Sequence, residues 1–365
     1  MNSDFVIIGG GVIGLTIARE LHRRGAGTIT VIDRGRAGGE ASWAAAGMLA
    51  PNVECRADDE LFRICTASNR LYPDFAAELL AETGIDIHLD RSGTLSLAFT
   101  EDEAAELNAK YTWQRNAGIT VESLTSDDIR KLEPEISASV HSGFLYPNDW
   151  QVENRQLVAG LRKYCELNQI ELIENTAMER LVIRGGEARA VETSRGAQHA
   201  DRVIVTAGAW SDQLLPVPKV KPIRGQMISL AASDPRILDR VIYSHRGYLV
   251  PRSDGRVLVG ATVENVGFSK EVTADAISTL KAAAIEIAPR LAKIEIAEAW
   301  AGLRPFVEGE MPVIGRVPDI ENAFVATGHY RNGILLAPIT AKMIADEVCG
   351  ASRTSGDQAV RKASH

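Results

Sequence analysis

The feature that most restricts this chain lies at its start: Phe5-Val6-Ile7-Ile8 runs directly into Gly9, Gly11 and Gly14, and an amphipathic stretch follows to Arg24. Four apolar residues in succession suit a strand buried on both faces, as the first strand of a parallel sheet must be. The glycines have the spacing G-x-G-x-x-G. Gly9 permits a tight turn, Gly11 lets backbone approach a pyrophosphate, and Gly14 lets the helix pack against the strand. The amides of the helix start, at Val12 and Ile13, then face the phosphates. Ile13, Ile17 and Leu21 share one helix face, Gly25 ends the helix, and a second apolar strand, 29–32, leads to Asp33. An acid at that point can accept hydrogen bonds from an adenosine ribose. Glycine loops also serve as plain turns, but strand, glycines, helix, strand and acid in this order point to a dinucleotide site. Which dinucleotide is open at this stage. Arg34 reads either as a contact for a 2′-phosphate or as a solvated surface arginine.

The remaining composition narrows the function class. A chain of 365 residues can build one large domain or two interleaved ones. A net charge of −8 without basic runs argues against nucleic acid as a partner. The amino terminus enters the glycine turn without a charged and apolar leader, so it reads as mature structure. No stretch of about 18 apolar residues predicts a membrane span. Cys55, Cys65, Cys165 and Cys349 lie far apart without C-x-x-C pairing, which fits reduced thiols in a cytoplasmic protein and indicates no metal site.

Along the chain, residues 38–50 are a run of small side chains that suits either contact with a flat, bulky group or a tightly packed helix; Ser42 could cap that helix or hold a phosphate. Residues 58–84 have a helical pattern that Pro73 would kink, and 101–116 a charged, solvated helix. Asn154 is placed to cap a helix bearing Leu157, Leu161 and Tyr164. Strands at 170–173, 178–183, 188–193 and 202–206 return the chain to the first sheet. Residues 221–300 are dense in strands, with one helix capped by Thr273, and suggest a second, antiparallel or mixed sheet roofing a pocket. Gly333 precedes an apolar helix, so backbone amides there could neutralise negative charge on a cofactor ring. Residues 351–365 are polar and expected to fray.

The opening glycine turn, GGEASWAAAGMLAP, VTAGAWS, GQM, YLVPR, WAGLRP and GHYRNGILLAP, in this order, resemble the flavin-dependent D-amino-acid oxidase superfamily. The likeness spans residues 1–350 and is closest to the glycine oxidase branch, whose members feed thiamine thiazole synthesis. It implies an α/β fold: a Rossmann-like FAD-binding domain (1–85, 148–218 and 301–350) interleaved with an antiparallel or mixed-sheet α+β substrate domain (86–147 and 219–300), and a polar tail. It makes the dinucleotide FAD, held noncovalently because no cysteine occupies the attachment position of the sarcosine oxidase branch. It places Ala46, Gly47 and Met48 beside the flavin ring, with Met178, Ala207, Gly208, Trp210, His329, Asn332, Gly333 and Ile334 as further cofactor contacts.

The resemblance also implies a reaction. An amino acid lies over the flavin with its carboxylate clamped by arginine, a hydride passes from Cα to flavin N5, and dioxygen reoxidises the flavin to give hydrogen peroxide. Carried over residue by residue, Arg304 pairs bidentately with the substrate carboxylate, Tyr248 touches the same carboxylate, and Arg331 lines the site near the substrate amine or flavin edge. The plain alternatives are a domain-locking ion pair for Arg304, a sheet tyrosine for Tyr248 and backbone contacts for Arg331. His245 and His329 read as structural histidines. Arg246 and Val263 depart from some glycine oxidases, which opens the question of substrate size. The expected activity is oxidation of glycine, with sarcosine and small D-amino acids as companions, in a homo-oligomer that the family implies is a tetramer. Three other readings are a dehydrogenase passing electrons to a quinone or carrier, an NAD(P)H-dependent flavin reductase and a noncatalytic flavin module. The reductase usually calls for a second glycine fingerprint, and none follows Gly14.

Overall fold

A computed structural model describes residues 2–231 and 237–350, so the tail expected to fray lies outside the described residues. The first strand, Asn2–Ile8, sits in the middle of an eight-stranded sheet. It pairs in parallel with Ile29–Ile32 on one side and with Gly196–Val205 on the other. The parallel run continues to Glu171–Ile173 and Ala323–Thr327, and Val313–Arg316 closes one edge antiparallel. Alternation within the apolar run explains why the first strand is central. Phe5 and Ile7 enter a core with the helices Val12–Arg23, Asn154–Leu167 and Gly333–Cys349, while Val6 and Ile8 enter the core on the opposite face. Leu15, Ile17 and Leu21 are completely buried. Each is worth about 1.5–3 kcal/mol relative to exposure, enough to fix the helix on the sheet.

Gly14 shows why a side chain is excluded at the third fingerprint position. A Cβ there would lie 2.0 Å from the Gly9 carbonyl oxygen and 2.6 Å from Thr206 Oγ1. The helix therefore crosses the strand ends at backbone contact distance.

The second sheet, also of eight strands, is mixed as expected: one neighbouring pair, Val241–Ser244 with Thr94–Ala98, is parallel and the others are antiparallel. One face carries Leu95, Ile228, Leu230, Leu249 and Val259 against the helix Ala274–Ile287, whose first turn Thr273 caps. The other face presents Met227, Val250, Leu258 and Trp300 to Ala44 and Ala46. It thus lies over the small-residue run, and Trp300 Nε1 donates to the Ala44 carbonyl at 3.0 Å. The strand Ile296–Phe306 ladders with Lys221–Ala231 along its length, so the junction placed at 300/301 falls inside a strand of this sheet.

Three local expectations are corrected. Residues 58–84 form two helices, Glu60–Asn69 and Tyr72–Thr83, with Pro73 in the first turn of the second; there its missing N–H costs nothing, so the chain restarts where a kink was expected. Glu153, not Asn154, caps the following helix by accepting from Arg155 N at 3.3 Å. Asn154 instead uses its amide to donate to the carbonyls of Ser42 and Trp43. Ser42 caps a helix other than its own: its Oγ accepts from Val12 N at 2.9 Å, supplying the cap that Gly11 lacks.

Candidate active site

Between the two sheets runs a cavity of about 400 Å³, lined at one end by the glycine turn and at the other by Tyr248, Arg304 and Arg331. Gly9, Gly11, Val12 and Ile13 form the turn end; Val12 heads the helix with its amide taken by Ser42 Oγ, and the Ile13 amide that follows has no intrahelical acceptor. Asp33 lies beside it with its carboxylate organised by backbone: Oδ2 accepts from Gly10 N and Oδ1 from Gly35 N, each at 2.8 Å. Burial raises this carboxyl, while the two amides oppose the shift. Arg34 is held in place, its guanidinium 3.4 Å from the Trp210 ring centroid and 3.1 Å from Glu40 Oε1. Trp210 stacks in turn on Phe268.

The middle of the cavity is lined by Ala41, Ala44, Ala45 and Ala46, by Gly302, which packs directly on Ala44, and by Met178, Ala207 and Gly208. Small side chains along this stretch let the backbone come close to a flat group, leaving a slot suited to a planar ligand. Arg252 holds this wall from behind: its buried guanidinium donates to the Ala46 carbonyl at 2.6 Å, to the Val152 carbonyl, and to Gln151 and Asn154. Burial pushes its pKa down to about 10. Gly333 and Ile334 bring the start of the last helix to the same slot. Buried His329 lines it and faces Thr340 Oγ1 at 3.1 Å; desolvation pushes its pKa down to about 3, so the ring is neutral.

At the far end, two glycines make room for the polar side chains. The Arg304 guanidinium lies across Gly225, where a Cβ would come within 2.3–2.5 Å of it, and donates to the Thr262 carbonyl at 3.1 Å. The Tyr248 ring lies over Gly260, where a Cβ would come within 2.4 Å. Tyr248 Oη stands 3.7 Å from Met227 Sδ, and burial raises its pKa against the pull of the nearby Arg304. Arg331 adds a second cation, 3.4 Å from Tyr330 Oη.

Four expected contacts do not line the cavity. Gly14 serves helix packing. The Gly47 carbonyl accepts from Val152 N, and the Met48 backbone pairs with Gln151. Asn332 stands before the last helix and accepts from Leu336 N. Neither departure from the glycine oxidase pattern reaches the cavity: Arg246 pairs with Glu103 and Glu286, and Val263 is 55% exposed. His245 faces Glu106 at 3.2 Å. The cavity also holds residues that sequence reasoning missed, chiefly Glu40, Glu54, Thr206, Gly225 and Met227. GQM at 225–227 carried a usable signal. Glu54, on a one-turn helix, carried none.

The model of the family described as "FAD dependent oxidoreductase" matches residues 4–347. The chain belongs to that family. Among its relatives, glycine oxidase of Geobacillus kaustophilus is 36% identical over 352 residues, covering 94% of this chain and 92% of that protein. The crystal structure of glycine oxidase from Geobacillus kaustophilus aligns with a TM-score of 0.93 at 33% identity, covering 97% of this chain and 96% of that one. The bifunctional protein ThiO/ThiG of Synechocystis is 38% identical over 349 residues, 94% of this chain. The chain spans about half of that protein, 51% of its length.

As an FAD-dependent oxidoreductase of glycine oxidase type, the chain uses FAD, and its cavity fits that group. The glycine turn and helix start suit a pyrophosphate, the oriented Asp33 carboxylate suits a ribose, and the small-residue walls beside a second helix start suit a planar ring. Among the described residues no helix is long and apolar enough to cross a membrane and no cluster is placed to hold a metal ion.

Proposed function

We propose that this flavoenzyme is an amino acid oxidase that converts glycine, and with it sarcosine and small D-amino acids, to the imino acid while reducing dioxygen to hydrogen peroxide. The observation that carries this reading is the placing of Arg304 and Tyr248 together at the far end of the cavity, each seated over a glycine, with Arg331 beside them. A planar guanidinium beside a neutral phenol matches one carboxylate, which takes two N–H donors from Arg304 and an O–H from Tyr248. Met227 and Tyr248, with Sδ and Oη 3.7 Å apart, occupy this end of the cavity, which favours a substrate with little or no side chain.

The Gly9–Gly14 turn would hold the pyrophosphate, Asp33 the ribose, and Ala44 to Ala46, Gly302, His329, Gly333 and Ile334 the ring. Bound FAD supplies the two-electron acceptor for the hydride that leaves Cα. The protein's own share is orientation. Arg304 and Tyr248 fix the carboxylate, which leaves Cα one bond away and facing the slot. The neutral His329 contributes no charge, and the start of the last helix favours negative charge nearby.

The test is stoichiometry in air. The purified yellow protein should form one peroxide for each glycine consumed. Continued dye reduction by glycine without peroxide would replace the oxidase by a dehydrogenase.

A further inference from the structure

Glu54 ends the one-turn helix Pro51–Glu54 and lines the cavity at the end that holds Tyr248, Arg304 and Arg331. The turn is held without using its carboxylate. Asp149 accepts from Asn52 N at 3.1 Å, Val53 N at 2.6 Å and Asn52 Nδ2 at 2.6 Å. Gln114 and Cys55 donate to the Asn52 carbonyl, and Lys110 donates to that of Val53. These side chains thus fix the backbone of Asn52 and Val53, directly before Glu54. Among the described residues, no hydrogen bond or ion pair engages the Glu54 carboxylate itself. A carboxylate on a rigid turn, half-buried and facing a cavity, has its acceptor capacity reserved for something that enters it.

The charges name what that is. The substrate end contains two cations, Arg304 and Arg331, and the substrate carboxylate answers one of them. Without a further anion the ammonium of an amino acid would meet net positive charge, which disfavours its binding. Glu54 is that anion. We propose that Glu54 is the counter-charge for the substrate's ammonium group and accepts its proton, leaving the neutral amine from which Cα loses hydride. This deepens the proposed function and rests on it. In the step, one N–H bond of R–NH3⁺ breaks and one O–H bond forms on Glu54, giving R–NH2 and a neutral carboxylic acid. No electrons change hands. The freed lone pair on nitrogen is the one that becomes the C=N bond as the hydride departs, and Glu54 returns its proton to water when product leaves.

Desolvation raises the Glu54 carboxyl above its ordinary range, against the pull of Arg331, Arg304 and Lys110 and with a push from Glu310. Tyr243, Tyr248 and Cys65 also feel its charge, and burial holds all three neutral. A raised carboxyl is a stronger base than a solvated one, as the step requires. The acid limb of kcat/KM for glycine is therefore assigned to Glu54, with activity lost as pH falls through its raised pKa.

Glu54→Gln and Glu54→Asp holoenzymes test this, with the visible flavin spectrum reporting an intact site. Glycolate, which keeps the carboxylate and replaces the amine by hydroxyl, serves as the comparison ligand. For Glu54→Gln, kcat/KM for glycine should fall at least about 10-fold, the acid limb should vanish, and the glycolate inhibition constant should stay level or fall. Glu54→Asp should recover part of the rate and keep an acid limb, and carries the test alone if the glutamine variant loses FAD. Glycine kcat/KM within about twofold of wild type with the acid limb unmoved overturns the proposal. Equal weakening of glycine and glycolate overturns it too, since that marks a structural role. If the wild-type flavin is reduced by another amine and not by glycine, the proposed substrate fails while Glu54 is tested with that amine.

Discussion

Replacing Gly225 by alanine should move one side chain and little else. The added Cβ would meet Arg304 Nη1 at 2.3 Å, Nη2 at 2.4 Å and Cζ at 2.5 Å, and these atoms are the free end of a flexible side chain. The backbone ladder with the strand Ile296–Phe306 is untouched, so the cost falls on the guanidinium, which must leave its seat. Its bond to the Thr262 carbonyl is lost or lengthened, and the fork no longer faces a carboxylate. A charge-assisted hydrogen bond is worth about 1.5–3 kcal/mol. Losing one such bond in the reacting complex corresponds to a decrease of about 10- to 150-fold in kcat/KM. Steady-state kinetics with glycine, beside the flavin spectrum and a thermal melt, should show that decrease with FAD content and melting temperature close to wild type. Wild-type kinetics in a folded Gly225→Ala enzyme would refute the placement of Arg304 as the carboxylate anchor.

Ser42→Ala removes the cap that reaches the first helix from another segment and should lower stability by about 1 kcal/mol in denaturant titration. Arg252→Met should be far more severe, about 3 kcal/mol or more by the same titration, because it strands the acceptors at Ala46, Val152, Gln151 and Asn154; FAD should also dissociate more readily. His329 is neutral in the fold, with its pKa down at about 3, but titrates near 6.5 when unfolded. The unfolded state therefore binds the extra proton, and this group's contribution to stability falls by about 1.4 kcal/mol per pH unit as pH drops below about 6.5. The slope of melting temperature against pH in that window should flatten in His329→Gln.

The legible parts of the fold were those where one local segment carries its own geometric reason. Gly14 and the Phe5–Ile8 run announce a strand and helix in backbone contact, because no side chain fits and no exposed face exists. Thr273 announces its helix by the same local logic. What the sequence hid depends on segments far apart. Ser42 looks like a cap for its own helix, and only the fold brings it to Val12. Gly47 and Met48 belong to a small-residue run that suits a flat ligand throughout. Their backbones pair with Val152 and Gln151, and of this run Ala44 to Ala46 line the cavity while Gly47 and Met48 do not. Glu54 gave no pattern because a one-turn helix has no periodicity, and its neighbours Arg304 and Arg331 come from the far end of the chain.

The most direct test of the account is anaerobic titration of the purified protein with glycine, sarcosine, D-alanine and D-proline, followed by visible absorbance. Glycine should bleach the flavin band, with admission of air restoring it, and Arg304→Ala should need far more glycine for the same bleaching. A flavin that stays oxidised with all four amino acids and bleaches with NADH would contradict the central claim.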